Sequence, residues 1–285
     1  MTDLTVVVTV ARGREFPLEM MHKSHSFVGS SPEAAASDNP LAGWQAEGFR
    51  LSFIGVSEWS QRPIFRDISG VEPALVTAQR MVQLHQEAGE VGHAHLNVVQ
   101  QANRIDITIG DKPTQNTVDP SLPGYKPFFS AGPFHETLQL FDDLTSKAAP
   151  LLKNALRVAY AITLLQPTPN ARQSGRLLHR FLPKVPMDPE KDIDLIFQIN
   201  RPHVREGGLL INRLGRWESV QITTVRVLAS GGPMPVMPAA SPITAAQIYV
   251  EANTDAENTV PLTNLPDLVQ ELRNAAVKLA EVGDV

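Results

Sequence analysis

Alternating apolar and polar positions predict several β-strands along this chain. Residues 104–109 alternate without a break, and Ile105, Ile107 and Ile109 fall on one side, as expected of a strand with one buried face. Together with residues 95–101 they predict a β-hairpin. A second hairpin is predicted around Gly215 and Arg216, because glycine suits the tight turn. The predicted strands cover residues 4–11, 49–56, 64–68, 95–101, 104–109, 157–165, 192–200, 209–214, 217–228 and 247–253.

A period of 3.6 residues predicts four helices, at residues 73–88, 133–149, 172–182 and 265–282. The last is amphipathic: Asn264 is the expected N-cap and Gly283 the expected stop. Pro150 must break or kink the helix that precedes it, because its ring clashes with the carbonyl four residues back. Residues 157–165 also suit a buried helix, but their alternation favours a strand.

These elements predict an α+β fold with a mostly antiparallel sheet and about four helices. Helices interrupt runs of adjacent strands without the regular strand–helix–strand alternation of parallel sheets. We expect one compact unit over residues 1–285. The alternative is a division into residues 1–111 and 133–285, because a Pro-punctuated connector spans residues 111–132. Residues 12–47 form a second long loop with three prolines.

Composition excludes several classes of protein. The 285 residues include no cysteine, which rules out disulfide scaffolds, thiolate zinc sites and cysteine nucleophiles. The first residues do not resemble a signal peptide, and no apolar run is long enough to span a membrane. We therefore expect a cytoplasmic protein that does not enter the membrane.

An arginine-rich segment is the strongest candidate binding feature in the sequence. The net charge is −5, yet residues 172–226 carry 10 Lys and Arg against 6 Asp and Glu. Arginines at steps of four within the predicted helix 172–182 would form one stripe, and guanidinium groups bind phosphate or carboxylate. The candidate anion-binding residues are Arg172, Arg176, Arg180, Arg201, Arg205, Arg213, Arg216 and, for stacking on a base, Trp217. Pairing with nearby acidic residues is favoured over ligand binding, and a pI near 5.9 argues against nucleic acid.

A weaker candidate is a metal site. His93 and His95 are two residues apart, so on a strand both imidazoles would project from one face, and Asp106 across the predicted hairpin is the expected third ligand. The alternative is that both histidines are ordinary polar residues on the exposed face of a strand.

The sequence contains no phosphate-binding glycine loop and no nucleophile elbow, so we assign no catalytic residue and no cofactor. The preferred hypothesis is a non-enzymatic cytoplasmic protein that binds a protein partner or assembles with copies of itself, because two long Pro-rich loops accompany a well-patterned scaffold. The first alternative is anion or nucleic-acid binding through residues 172–216. The second is a metal-dependent hydrolase.

Overall fold

The computed structural model describes residues 39–56, 62–112, 128–188, 191–192, 194–222, 225–227, 236–238 and 242–284. Four predicted segments lie wholly or partly outside these residues: the strand at 4–11, most of the loop at 12–47, most of the connector at 111–132 and residues 223–224 and 228 of the strand at 217–228.

The strands and helices of the described residues are as follows. The strands are β1 (Gln45–Ile54), β2 (Leu75–Gln79), β3 (Leu84–Val91), β4 (Ala94–Gln101), β5 (Arg104–Gly110), β6 (Gly132–Pro133), β7 (Arg157–Thr168), β8 (Ile196–Asn200), β9 (His203–Val204), β10 (Leu210–Ile222), β11 (Val225–Val227), β12 (Val236–Pro238) and β13 (Ile243–Thr254). The helices are α1 (Ile64–Ser69), α2 (Phe134–Ala148), α3 (Ala171–His179) and α4 (Leu265–Val282), with short 3-10 turns at Arg80–Val82 and Ala149–Leu151.

The predicted α+β class is confirmed. Eleven of the described strands form one sheet in the order β2-β3-β4-β5-β1-β7-β13-β10-β8, with β6 beside β1 and β9 beside β10. Each of these neighbouring pairs is antiparallel. The predicted hairpin at 95–101 and 104–109 is β4 and β5, where Val98 lies opposite Ile107. Strand β1 pairs with both β5 and β7, so the sheet joins strands from both sides of the connector.

One face of the sheet is apolar and carries the helices; we call it the helix face. Phe49 of β1 lies 5.6 Å from Phe141 of α2 between ring centroids, and Phe141 lies 5.5 Å from Tyr160 of β7. These contacts confirm both the predicted helix 133–149 and the predicted strand 157–165. The Arg273 Nη2 of α4 donates to the Asp142 carboxylate of α2 at 2.7 Å, which joins the two longest helices over the sheet.

The predicted C-terminal helix is confirmed, although its start differs from the expectation. The Asn264 backbone carbonyl accepts the Leu268 N–H at 3.2 Å. Its side chain donates to Asp267 instead of accepting from the helix backbone, because Asn264 has a positive φ of 51°. Within the described ranges, no helix is long and apolar enough to cross a membrane.

The helix predicted at 73–88 is wrong, and so is the strand predicted at 64–68. Residues 73–88 contain β2, a 3-10 turn and the start of β3, because β3 gains a full set of hydrogen bonds from β4, where Gln86 lies opposite Val99. Residues 64–68 form helix α1, which buries Ile64, Phe65 and Ile68 on the core. In both segments, pairing or packing with distant residues overrides the local pattern.

The hairpin predicted around Gly215 and Arg216 is also wrong, because β10 runs through both residues. Gly215 and Trp217 are two residues apart and therefore lie on the same face of the strand. A Cβ atom on Gly215 would lie 2.2 Å from the Trp217 Cη2 atom. The glycine thus makes room for the buried indole, and it is not a turn residue.

We predict that Gly215→Ala lowers the free energy of unfolding by about 1–3 kcal/mol, because the new methyl group overlaps the Trp217 ring. The matched control is Gly110→Ala: Gly110 also lies in a strand, and its Cβ would come no closer than 3.7 Å to the Glu47 carbonyl oxygen. The control should stay within about 1 kcal/mol of the wild type. Urea denaturation measures both, and equal losses in the two variants would contradict this role for Gly215.

Candidate functional site

The predicted arginine helix is confirmed, with bounds shorter than expected. Helix α3 covers Ala171–His179, and the Asn170 side chain caps it by accepting the Gln173 N–H at 3.0 Å. The side chains of Arg172, Arg176 and Arg180 are exposed, as expected for a stripe at steps of four. This arginine stripe lies on the exposed surface of α3, which covers the helix face of the sheet.

The arginines beyond α3 contact acceptors of this chain. Arg201 Nε donates to the Asp284 carboxylate at 2.5 Å. Arg205 forms an ion pair with Glu271 at 3.0 Å, and Arg216 with Glu218 at 2.6 Å. Arg213 Nε donates to the backbone carbonyl of Arg201 at 3.1 Å. Three of these four arginines therefore form an ion pair within the chain.

The structure does not bring the arginine set together on one surface. Arg213 and Arg216 are three residues apart in β10, so their side chains point to opposite faces of the sheet. Trp217 is fully buried, and its ring centroid lies 6.0 Å from that of Phe197. The indole is therefore part of the core and offers no exposed face for a base.

The proposed metal ligands are not close to one another. His95 lies opposite Gly110, whereas Asp106 lies opposite Val99, four residues away and about 13 Å along the strand. His93 precedes β4 in a turn, with its Nε2 3.4 Å from the Thr137 Oγ1 of α2. No group of three or more His, Asp or Glu side chains in the described part of the chain could hold a metal ion. The structure therefore does not place Asp106 beside His93 and His95.

Asp106 has a different role: it belongs to a polar network on the second face of the sheet, which we call the open face. Its carboxylate accepts from the Ser52 hydroxyl at 2.5 Å and from Arg104 Nε at 2.7 Å. His95 also lies on the open face of β4, where partial burial lowers its pKa because the charged imidazolium is desolvated.

The centre of this network joins residues that sequence reasoning did not connect. Arg50 of β1 donates to Glu251 of β13 at 3.0 Å, and the reach of about 10 Å passes over Ala161 of the intervening strand. Tyr249 donates its hydroxyl to the same carboxylate. Burial, followed by the hydrogen bond and charge of Glu251, raises the pKa of Tyr249 to about 12. The alternation of polar residues within the predicted strand 247–253 was the sequence signal for this face.

Two further carboxylates lie close together on the open face. Glu47 accepts from the Gln247 amide at 3.1 Å, and Gln247 lies opposite Glu218 in the pairing of β13 with β10. Burial raises the pKa of Glu47, the hydrogen bond from Gln247 lowers it, and the negative charge of Glu218 raises it further. The open face therefore combines internal ion pairs with one carboxyl group whose ionisation is disfavoured by burial. Among the described residues, the buried Nε atoms of Arg50 and Arg216 have no hydrogen-bond partner.

The most unusual surface lies at the edge of the sheet. Of the nine large apolar side chains exposed in the described residues, five fall within residues 71–82. They are Val71, Leu75, Val76, Met81 and Val82. Strand β2 has no strand partner on its outer side among the described residues. We call β2 and these five side chains the β2 edge.

The β2 edge lacks the features that usually protect a sheet edge. Its sequence, Leu-Val-Thr-Ala-Gln, contains no charged residue and no proline, and its pairing with β3 has no bulge. The sequence predicts a helix at residues 73–88 and therefore does not indicate this surface. An edge strand can be identified only when the strand order is known.

Comparison with protein-family models, curated proteins and solved structures finds no match to this chain.

We predict that Glu47→Gln gains stability relative to the wild type as pH rises from about 4.5 to 7. A raised pKa in the folded state means that the folded protein favours neutral Glu47, so its contribution is lost as pH rises through that pKa. Glutamine stays neutral and avoids this loss. Denaturation at several pH values measures the difference.

The matched control is Glu90→Gln, for which the opposite trend is expected. The hydrogen bond and charge of Lys112 lower the pKa of Glu90, so its contribution is present at neutral pH and lost as pH falls. Stability differences that do not depend on pH in the Glu47 variant would contradict the assignment.

Proposed function

We propose that this chain acts by binding another protein through the β2 edge. The single observation that carries the proposal is the concentration of exposed apolar side chains in and directly beside an edge strand with no strand partner among the described residues. Unpaired backbone groups and apolar side chains together form the surface used when a partner adds a strand to a sheet. Solvent-exposed apolar patches at such a position are typical of interaction sites.

The β2 edge suits this role better than the edge at the other end of the sheet. Strand β8 exposes the polar side chains Gln198 and Asn200, and Asp194 precedes it. Ile196 of β8 and Val204 of β9 are exposed as well, but they are fewer than the five large apolar side chains of the β2 edge.

We propose that the chain is a binding protein and not an enzyme. Two ion pairs of the open face, Arg50 with Glu251 and Arg104 with Asp106, form within the chain and support this view. We propose the cytoplasm as its location, since a chain without cysteine has no disulfide that needs an oxidising compartment.

A photo-cross-linking amino acid tests this function. It is placed at Met81, which is 100% exposed at the β2 edge, and, as a matched control, at Val260, which is 67% exposed and lies outside the sheet. Irradiation in cells should give protein adducts at position 81 in several-fold excess over position 260. Adding Val76→Lys should abolish the adducts at 81, because a charge then enters the apolar edge. Equal yields at the two positions would overturn the proposal.

A further inference from the structure

We infer that the partner at the β2 edge is a second copy of this chain, paired antiparallel through β2 about a two-fold axis at Thr77. The inference rests on the proposed function of this edge and identifies its occupant. Association through the same surface on both copies closes at two subunits, which is the commonest symmetry of soluble oligomers.

In this register, the residues of β2 can pair with the residues of β2 in the partner subunit. Thr77 lies opposite Thr77 of the partner subunit, Val76 opposite Ala78, and Leu75 opposite Gln79. Opposed residues of an antiparallel pair point to the same face. Val76 and Ala78 share the helix face, since they pair with the buried residues Glu87 and His85 of β3. The register therefore sets apolar against apolar on that face. On the open face it sets Thr77 against Thr77, which is a favourable pair, and Leu75 against Gln79.

The charges that flank β2 favour the same arrangement. Glu72 precedes the strand and Arg80 follows it, and both are exposed, while residues 73–79 carry no charge. Antiparallel pairing brings the Glu72 end of one copy to the Arg80 end of the other, which sets opposite charges near each other. Parallel pairing would set like charges together. Glu72 has a contact of 3.4 Å with Arg66, and both side chains are largely exposed, so this pair does not hold Glu72 away from a second cation.

The extent of the surface sets the expected affinity. Five paired residues cover less area than a standard stable interface, and Val71, Met81 and Val82 must contribute the remainder. We therefore expect a dimer that depends on concentration, with a Kd on the order of 10 μM.

Sedimentation of the full chain over a range of concentrations tests the inference. The expected result is a shift from 31.2 kDa to twice that mass. Thr77→Arg and Thr77→Glu should each give monomers, because like charges then oppose each other at the axis. An equimolar mixture of the two variants should recover the dimer, since opposite charges now meet. The control Thr263→Arg, at an exposed threonine away from the edge, should dimerise like the wild type. Circular dichroism confirms that each variant is folded.

Other results of these experiments would contradict the dimer, its register or the proposed function. A wild type that stays monomeric, or variants that both stay dimeric, would overturn the inference. If each variant is monomeric alone and the mixture of the two is also monomeric, the register at Thr77 is overturned. If the wild type is monomeric but position 81 still cross-links to a different protein, the second-copy inference fails while the proposed function stands. If neither occurs, both fail.

Discussion

The fold depends on one antiparallel ladder of backbone hydrogen bonds. From β2 to β8, each inner strand donates to and accepts from a neighbour on both sides, which satisfies its buried N–H and C=O groups. The two outer strands cannot do this on their outer sides. Neither outer strand contains a charged residue, but exposed large apolar side chains are more numerous at the β2 edge than at the β8 edge. The same constraint that builds the sheet therefore leaves one edge with backbone groups and apolar side chains that another strand could engage.

The two faces of the sheet are stabilised by different means. On the helix face, aromatic side chains of β1 and β7 pack against α2, and the Asp142–Arg273 pair joins α2 to α4. On the open face, ion pairs reach across strands, and small residues such as Ala161 leave the space that long side chains need. The open face therefore holds part of its charge in internal ion pairs, such as Arg50 with Glu251 and Arg104 with Asp106.

The spacing of apolar residues was sufficient to predict an element where that spacing fits only a helix or only a strand. Helix α4 and the β4–β5 hairpin follow directly from their periodicity. Residues 73–88 fit both a helix and two strands, and only pairing with β4 decides between them. Gly215 suggested a turn, although its function is to accommodate Trp217 two residues later. Arg50 and Glu251 are 201 residues apart in sequence, so no local pattern could join them. The arginine set looked continuous in sequence but is divided between two faces.

Hydrogen exchange of the backbone amides tests most directly whether the β2 edge pairs with a second copy of this chain. The amides of β2 that point away from β3 lack a partner within the described residues, and pairing would protect them. Exchange of a peptide covering residues 75–79 should slow as the protein concentration rises through the micromolar range, while a peptide covering residues 196–200 of β8 should not change. Exchange in β2 that is the same at every concentration would contradict the account.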